Sequence, residues 1–173
     1  MIRNNRIVFI DVETTGLDPG KGHRIIEIGA IAMENDQIRG EIQSLIQVNN
    51  SIPRHISKIH GITNNMLTGR PTPQQIYPEV KDFISDSILI AHNAKFDIGF
   101  LRSEFNRLKL SFNNKIFCTL ELSRRRYPHL PNYKLSTIYA HLTGEQPADA
   151  KRHRALDDAR MVAAIWLAME GNR

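Results

Sequence analysis

The chain is poor in several features, and each shortage excludes a class of protein. It has one cysteine in 173 residues, Cys118. Neither an internal disulfide framework nor a cysteine-rich zinc site can be built from that. A lone thiol of this kind is expected to be buried, in a cytoplasmic protein. No apolar run approaches the roughly 20 residues that cross a bilayer. The polar, basic stretch Met1–Arg6 is not followed by a signal-peptide core of about 7–15 apolar residues, because Ile7–Ile10 is too short. No internal repeat, low-complexity segment or linker stands out, so one domain over residues 1–173 is expected. What remains is an ordinary globular composition, 41% hydrophobic and 24% charged, enough for a real core at this length. The net charge is +5. A basic balance suits a polyanionic partner such as nucleic acid without requiring one. Its densest cluster is Arg124–Arg125–Arg126, which a solvated helix face and a phosphate contact explain equally well.

Hydrophobic patterning sets the expected elements. Strands are read over Arg6–Glu13, Arg24–Met33 and Ile38–Val48, the last two joined by a turn at Asn35–Asp36. Short, breaker-rich segments follow through Pro53 and Gly61. Thr72–Pro73 starts a helix, as N-cap and first helical residue, with Ile76, Val80, Phe83 and Ile84 as its apolar stripe. Ser87–Ala91 reads as a buried strand and Lys95–Leu108 as an amphipathic helix. A short strand is expected at Lys115–Cys118, then helices at Thr119–Tyr127, Leu135–Leu142 and Arg154–Ala168. Strands early and helices interleaved later indicate an α/β fold, a mixed sheet flanked by helices.

Three acidic stations stand against this background. In "FIDVETTGL" (Phe9–Leu17) an apolar strand runs into Asp11 and Glu13. Residues two apart on a strand share one face, so these carboxylates lie side by side and repel, with Val12 pointing away. In "HNAKFD" (His92–Asp97) Asp97 falls in the first turn of a helix beyond a strand end, where ligands collect in open α/β sheets. The helix dipole alone also accounts for an acid there. In "HRALDDA" (His153–Ala159) the stripe Ala155, Ala159, Val162, Ala163 and Trp166 would pack on the sheet. Asp158 lies at its edge and Asp157 points nearly the opposite way. Four carboxylates drawn into one cleft call for cations, and hard oxygen donors without thiolates suit Mg²⁺ or Mn²⁺. Two such ions about 4 Å apart can hold both the attacking and the leaving oxygen of a phosphoryl displacement. A histidine of ordinary pKa can take the proton of the attacking water.

These three stretches, in this order, resemble the motifs of the DnaQ-like, or DEDDh, 3′–5′ exonuclease family. "IIEIGAI", "IHGIT", "FCTLELSRRRYP" and "YKLSTI" add lesser likenesses between them. The resemblance implies a ribonuclease H-like fold and hydrolysis of the 3′-terminal phosphodiester of DNA to 5′-mononucleotides, in proofreading or repair. It implies Asp11, Glu13, Asp97 and Asp158 as ligands of two divalent ions and His153 as general base. It places the Thr14, Thr15 and Gly16 backbone near the terminal nucleotide, His60 on the opposite wall, and Asn93 and Phe96 in the pocket. His60 as an ordinary loop residue is the alternative, and His92 is expected to support structure. The implied partners are a single-stranded or frayed 3′ end of DNA and a replicative DNA polymerase subunit, with no membrane. An RNA-trimming enzyme of the same family, or a nucleic-acid-binding module without catalysis, would carry much of the same sequence.

Overall fold

The computed structural model describes residues 6–146 and 154–171. The first strand, β1 (Ile7–Thr14), is followed by β2 (Ile25–Glu34) and β3 (Gln37–Leu45), a meander of antiparallel strands. Asn35 and Asp36 make the tight turn between β2 and β3 with positive φ at both positions (51° and 60°), the conformation these short polar residues tolerate best. Two short helices follow, α1 (Arg54–His60) and α2 (Asn64–Leu67), then α3 (Pro73–Ile84). At the start of α3 the Thr72 backbone N–H donates to Gln75 Oε1 (2.8 Å). Next come β4 (Ile88–Ala91), α4 (Ala94–Arg107), β5 (Ile116–Cys118), α5 (Thr119–Arg126), α6 (Leu135–Thr143) and α7 (Ala155–Gly171).

Among the described residues the strands form one mixed sheet in the order β3-β2-β1-β4-β5. β4 runs parallel to both β1 and β5. Strand alternation divides the core between the two faces. Val8, Ile10, Val12, Leu89 and Ala91 join Ile76, Tyr77 and Val80 of α3 and Ile98, Phe100, Leu101 and Phe105 of α4 in one cluster. Phe9, Ile31, Met33, Ile88 and Ile90 meet Leu156, Ala159, Val162, Ala163 and Trp166 of α7 on the other. The odd-numbered side of β1, which carries Asp11 and Glu13, is therefore the α7 side.

Two expectations need correction. The stretch around Pro53–Gly61 is helical rather than only a breaker-rich connection. Pro53 precedes the first turn of α1, and Gly61 ends it in the left-handed region (φ 74°). Ile52, Ile56, Ile62 and Leu67 pack with Ile26 in a separate cluster that holds these short helices to the sheet. Cys118 is half-buried rather than buried, because β5 is an edge strand.

Candidate active site

β1 and β4 differ in length, and the site lies where they part. Their pairing runs only from Ile7↔Ile88 to Phe9↔Ile90. β4 ends at Ala91, while β1 continues to Thr14. Beyond that point β1 has lost its neighbour on this side, and a backbone donor there needs another acceptor. Asp97 supplies one: its Oδ1 accepts from the Val12 N–H at 3.3 Å. The chain turns from β4 into α4 through Asn93, in the left-handed region (φ 66°, ψ 46°), and this turn brings Asp97 back to β1.

α7 delivers the next acid from the opposite side. Its first turn lies so close to β2 that a Cβ at Gly29 would collide with the backbone of Ala155 and Leu156. Asp158 is buried and Asp157 is exposed, as the helix-face reading required. Asp157 pairs with Arg160 at 2.9 Å. Asp11, Glu13 and Asp158 each offer a carboxylate oxygen, and these oxygens lie within 4.8 Å of one another. Asp97 falls outside this trio but stands beside it. The Asp11 carboxyl is pushed well above the usual range, first by burial and then by the charges of Asp97, Asp158, Glu13 and Glu27. Asp97 is pushed up to about 8 by burial, with a smaller push from Asp158 and opposing help from backbone N–H groups including Val12. Such shifts mark carboxylates that lack a counter-charge. Three clustered carboxylates with no thiolate form a donor set that could hold a hard divalent cation.

The "TTGL" loop after β1 is tied to itself. Thr14 Oγ1 donates to the Gly16 carbonyl (2.6 Å). Thr15 N–H donates to the Arg24 carbonyl (2.9 Å), and the Arg24 N–H donates to Thr15 Oγ1 (3.0 Å). A Cβ at Gly16 would collide with the His23 ring. Both threonine side chains thus hold the loop. Asn93, Phe96, Lys95, Gly99 and Phe100 of the α4 start, with Leu17 and Pro19, line a groove of about 310 Å³. Leu17 is 77% exposed there, a large apolar side chain standing in water beside a phenyl ring.

Of the other expected residues, His60 is buried at the end of α1, where its Nδ1 accepts from the Ile62 N–H (3.0 Å). His92 links strand to helix: its ring nitrogens meet Thr119 Oγ1 (2.9 Å) and the Tyr133 carbonyl (2.8 Å). Burial lowers its pKa, so a neutral ring donating to that carbonyl from Nε2 satisfies both contacts. This matches a supporting role. His153 lies outside the described residues.

Two buried glutamates were not singled out from the sequence. Glu27 of β2 is opposite Glu13 in the ladder and wholly buried. Arg154 grips it from Nη2 (2.7 Å) and Nε (3.1 Å), Gln43 donates to it (3.0 Å), and so does the Ala155 N–H at the start of α7 (3.3 Å). Glu104 of α4 is held the same way by Arg24, with both contacts at 2.6 Å. The signal was legible for Glu27: an acid inside "IIEIGAI" has no solvent to face and must be answered by a partner.

Known proteins resemble this arrangement along nearly the whole chain. The RNase_T family of exonucleases matches residues 8–166. The DNA polymerase III subunit epsilon of Rickettsia typhi is 38% identical over 175 residues, covering 97% of this chain and 75% of that protein. The PolC-type DNA polymerase III of Clostridium perfringens is 34% identical over 162 residues, 94% of this chain, and this chain spans only 11% of its length. Among solved structures, Exonuclease X in complex with 5′ overhanging duplex DNA superposes with a TM-score of 0.73 at 27% identity, covering 96% of this chain and 91% of that one. A sheet that leaves β1 open beside its acids, and a match of this extent, place the chain in the RNase_T exonuclease family, alongside 3′–5′ exonucleases of the epsilon type.

Proposed function

We propose that this chain removes nucleotides one at a time from the 3′ end of DNA, in replication proofreading or repair. Residues 1–173 act as one catalytic domain in this reading, and a replicative polymerase subunit is the natural larger partner. The observation that carries it is the meeting of Asp11, Glu13 and Asp158, from two distant stretches of chain, within 4.8 Å, with Asp97 beside them. Asp11, Glu13, Asp97 and Asp158 would hold two divalent ions, Mg²⁺ or Mn²⁺. When bound, such ions supply charge stabilisation at the phosphoryl group and an acidified water.

The chain's own residues do the rest. His153 takes a proton from the attacking water at a ring nitrogen. The water oxygen bonds to phosphorus, the bond from phosphorus to the preceding 3′ oxygen breaks, and a 5′-mononucleotide leaves. That 3′ oxygen is protonated from solvent. The tied backbone of Thr14, Thr15 and Gly16 forms a fixed wall for the terminal nucleotide, and rigid positioning of this kind lowers the barrier without new chemistry. Phe96 and Asn93, with Leu17, offer an apolar groove where a base can stack, and His60 would approach from the other wall.

The test is digestion of 5′-labelled single-stranded DNA and of a matched RNA strand, with Mg²⁺, Mn²⁺ or EDTA. The expected result is a metal-dependent ladder on DNA that a 3′-blocking group prevents. His153→Ala should slow it by roughly 10²–10⁴-fold and remove one limb of the pH–rate profile. Faster digestion of RNA than of DNA would overturn the substrate assignment, and an unchanged rate and profile in the variant would overturn the base.

A further inference from the structure

We propose that Arg124 is a docking point for a backbone phosphate of the single strand, upstream of the phosphodiester being cut; this rests on the DNA reading above. The run Arg124–Arg125–Arg126 occupies the last turn of α5. Cations there are favoured by the helix dipole whatever their function, so the run as a whole proves nothing. The structure separates its three members. Arg126 Nη1 donates to the Met169 carbonyl at 2.6 Å and ties α5 to α7. Arg125 is exposed and makes no ion pair among the described residues. Arg124 is also exposed and makes no ion pair among the described residues, but its guanidinium carbon lies over the Tyr133 ring, 5.8 Å from its centre.

Tyr133 is itself fixed at both ends. Its hydroxyl donates to the Tyr127 carbonyl (3.0 Å), and its own carbonyl takes the His92 Nε2–H (2.8 Å). His92 directly precedes Asn93 of the nucleotide groove. The chain of contacts Arg124–Tyr133–His92 therefore leads from the arginine to the cleft wall. The charges of Asp158 and Arg124 both reach the His92 ring. A polyanion approaching a cluster of carboxylates is repelled, and a cation fixed on the rim offsets that repulsion for a strand lying across it. A guanidinium with a planar fork of donors matches two phosphate oxygens at once. The attraction between a cation and an aromatic face biases the side chain toward this position.

Arg125 is a built-in control. Arg124→Ala and Arg125→Ala remove the same charge one residue apart, so any general electrostatic loss is common to both. Binding is measured by fluorescence anisotropy of a 5′-labelled oligothymidylate, with Ca²⁺ in place of Mg²⁺, across a salt series, after melts confirm that both variants fold. Arg124→Ala should bind about tenfold more weakly at low salt, and its slope of log affinity against log salt should shrink by about 0.7. Arg125→Ala should lose less than about twofold. Arg124→Lys, which keeps the charge and loses the fork, should keep the slope and recover part of the affinity. Equal losses in the two alanine variants, or none in either, would overturn the phosphate contact while leaving the DNA reading intact. A folded parent protein that binds no single strand would overturn both.

Discussion

Two kinds of carboxylate stand against the sheet of this protein. Glu27 and Glu104 are enclosed, and each is gripped by a guanidinium, Arg154 and Arg24, with contacts of 2.6–2.7 Å. Asp11 and Asp97 have other carboxylates for neighbours and no salt bridge among the described residues, and both are driven toward their protonated form. The partnered acids instead raise the pKa values of their arginines. The fold can evidently provide an internal cation where a buried acid is structural. Where it provides none, the repulsion remains for an outside cation to relieve. Bare carboxylates next to compensated ones separate the proposed site from its scaffold more clearly than burial does, since Asp97 is as enclosed as Glu27 and Glu104 while Asp11 is half-buried.

The sharpest way to break this contrast is to neutralise one acid of the carboxylate cluster. Asp11→Asn or Asp158→Asn should cut hydrolysis on the order of 10³-fold or more, the loss of several kcal/mol of charge stabilisation. The melting temperature in EDTA should not fall, because a repulsion has been removed. Parent-like digestion of a labelled strand by either variant would dissolve the distinction. The acids held by arginines should behave in reverse. Arg154→Ala leaves Glu27 charged and enclosed, and should cost about 3–5 kcal/mol in denaturant unfolding. Glu27→Ala leaves an arginine that can reach water, and should cost less. Equal costs would mean that the pair is not acting as a buried one.

A smaller effect concerns cations and pH. An acid whose folded pKa is raised is protonated in the fold and ionised in the unfolded chain between its two values. The unfolded state then holds fewer protons, and stability falls as pH rises. For metal-free protein this decline should run from the ordinary carboxylate value of 3.8 up to about 8 for Asp97. Mg²⁺ or Mn²⁺ at about 100 times its dissociation constant should add about 2.7 kcal/mol, with Asp11→Asn blunting the gain. Melts that respond to neither pH nor metal would contradict the cleft's unrelieved charge. Least of all, Asp157→Ala should stay within about 0.5 kcal/mol of the parent and keep its activity, as an exposed ion pair allows.

Much of this was legible from residue order. Alternation in β1 placed Asp11 and Glu13 on one side and Val12 on the other, and the α7 stripe separated Asp158 from Asp157, because both rest on fixed backbone periods. The turn at Asn35–Asp36 and the start of α3 followed from local conformational preference. The short helices α1 and α2 did not, because seven- and four-residue helices are stabilised by distant packing against Ile26 rather than by their own pattern. Glu27 and Glu104 find their arginines 127 and 80 residues away, which no local window can see. The contact of Asp97 with the Val12 N–H depends on where β4 stops, a property of sheet pairing. Sequence placed His153 in the third acidic station, but it lies outside the described residues, so its role rests on the resemblance and on the kinetic test.

The shortness of β4 carries a consequence for engineering. Four residues of β4 lie alongside a β1 of eight, and the vacancy this leaves is the opening itself. Two more residues inserted before Asn93 and paired with β1 would take the Val12 N–H from Asp97, seal that doorway and carry this acid away from its neighbours. Access here is metered by counting residues, and a deletion or insertion at this hinge should silence the protein more surely than most changes of side chain.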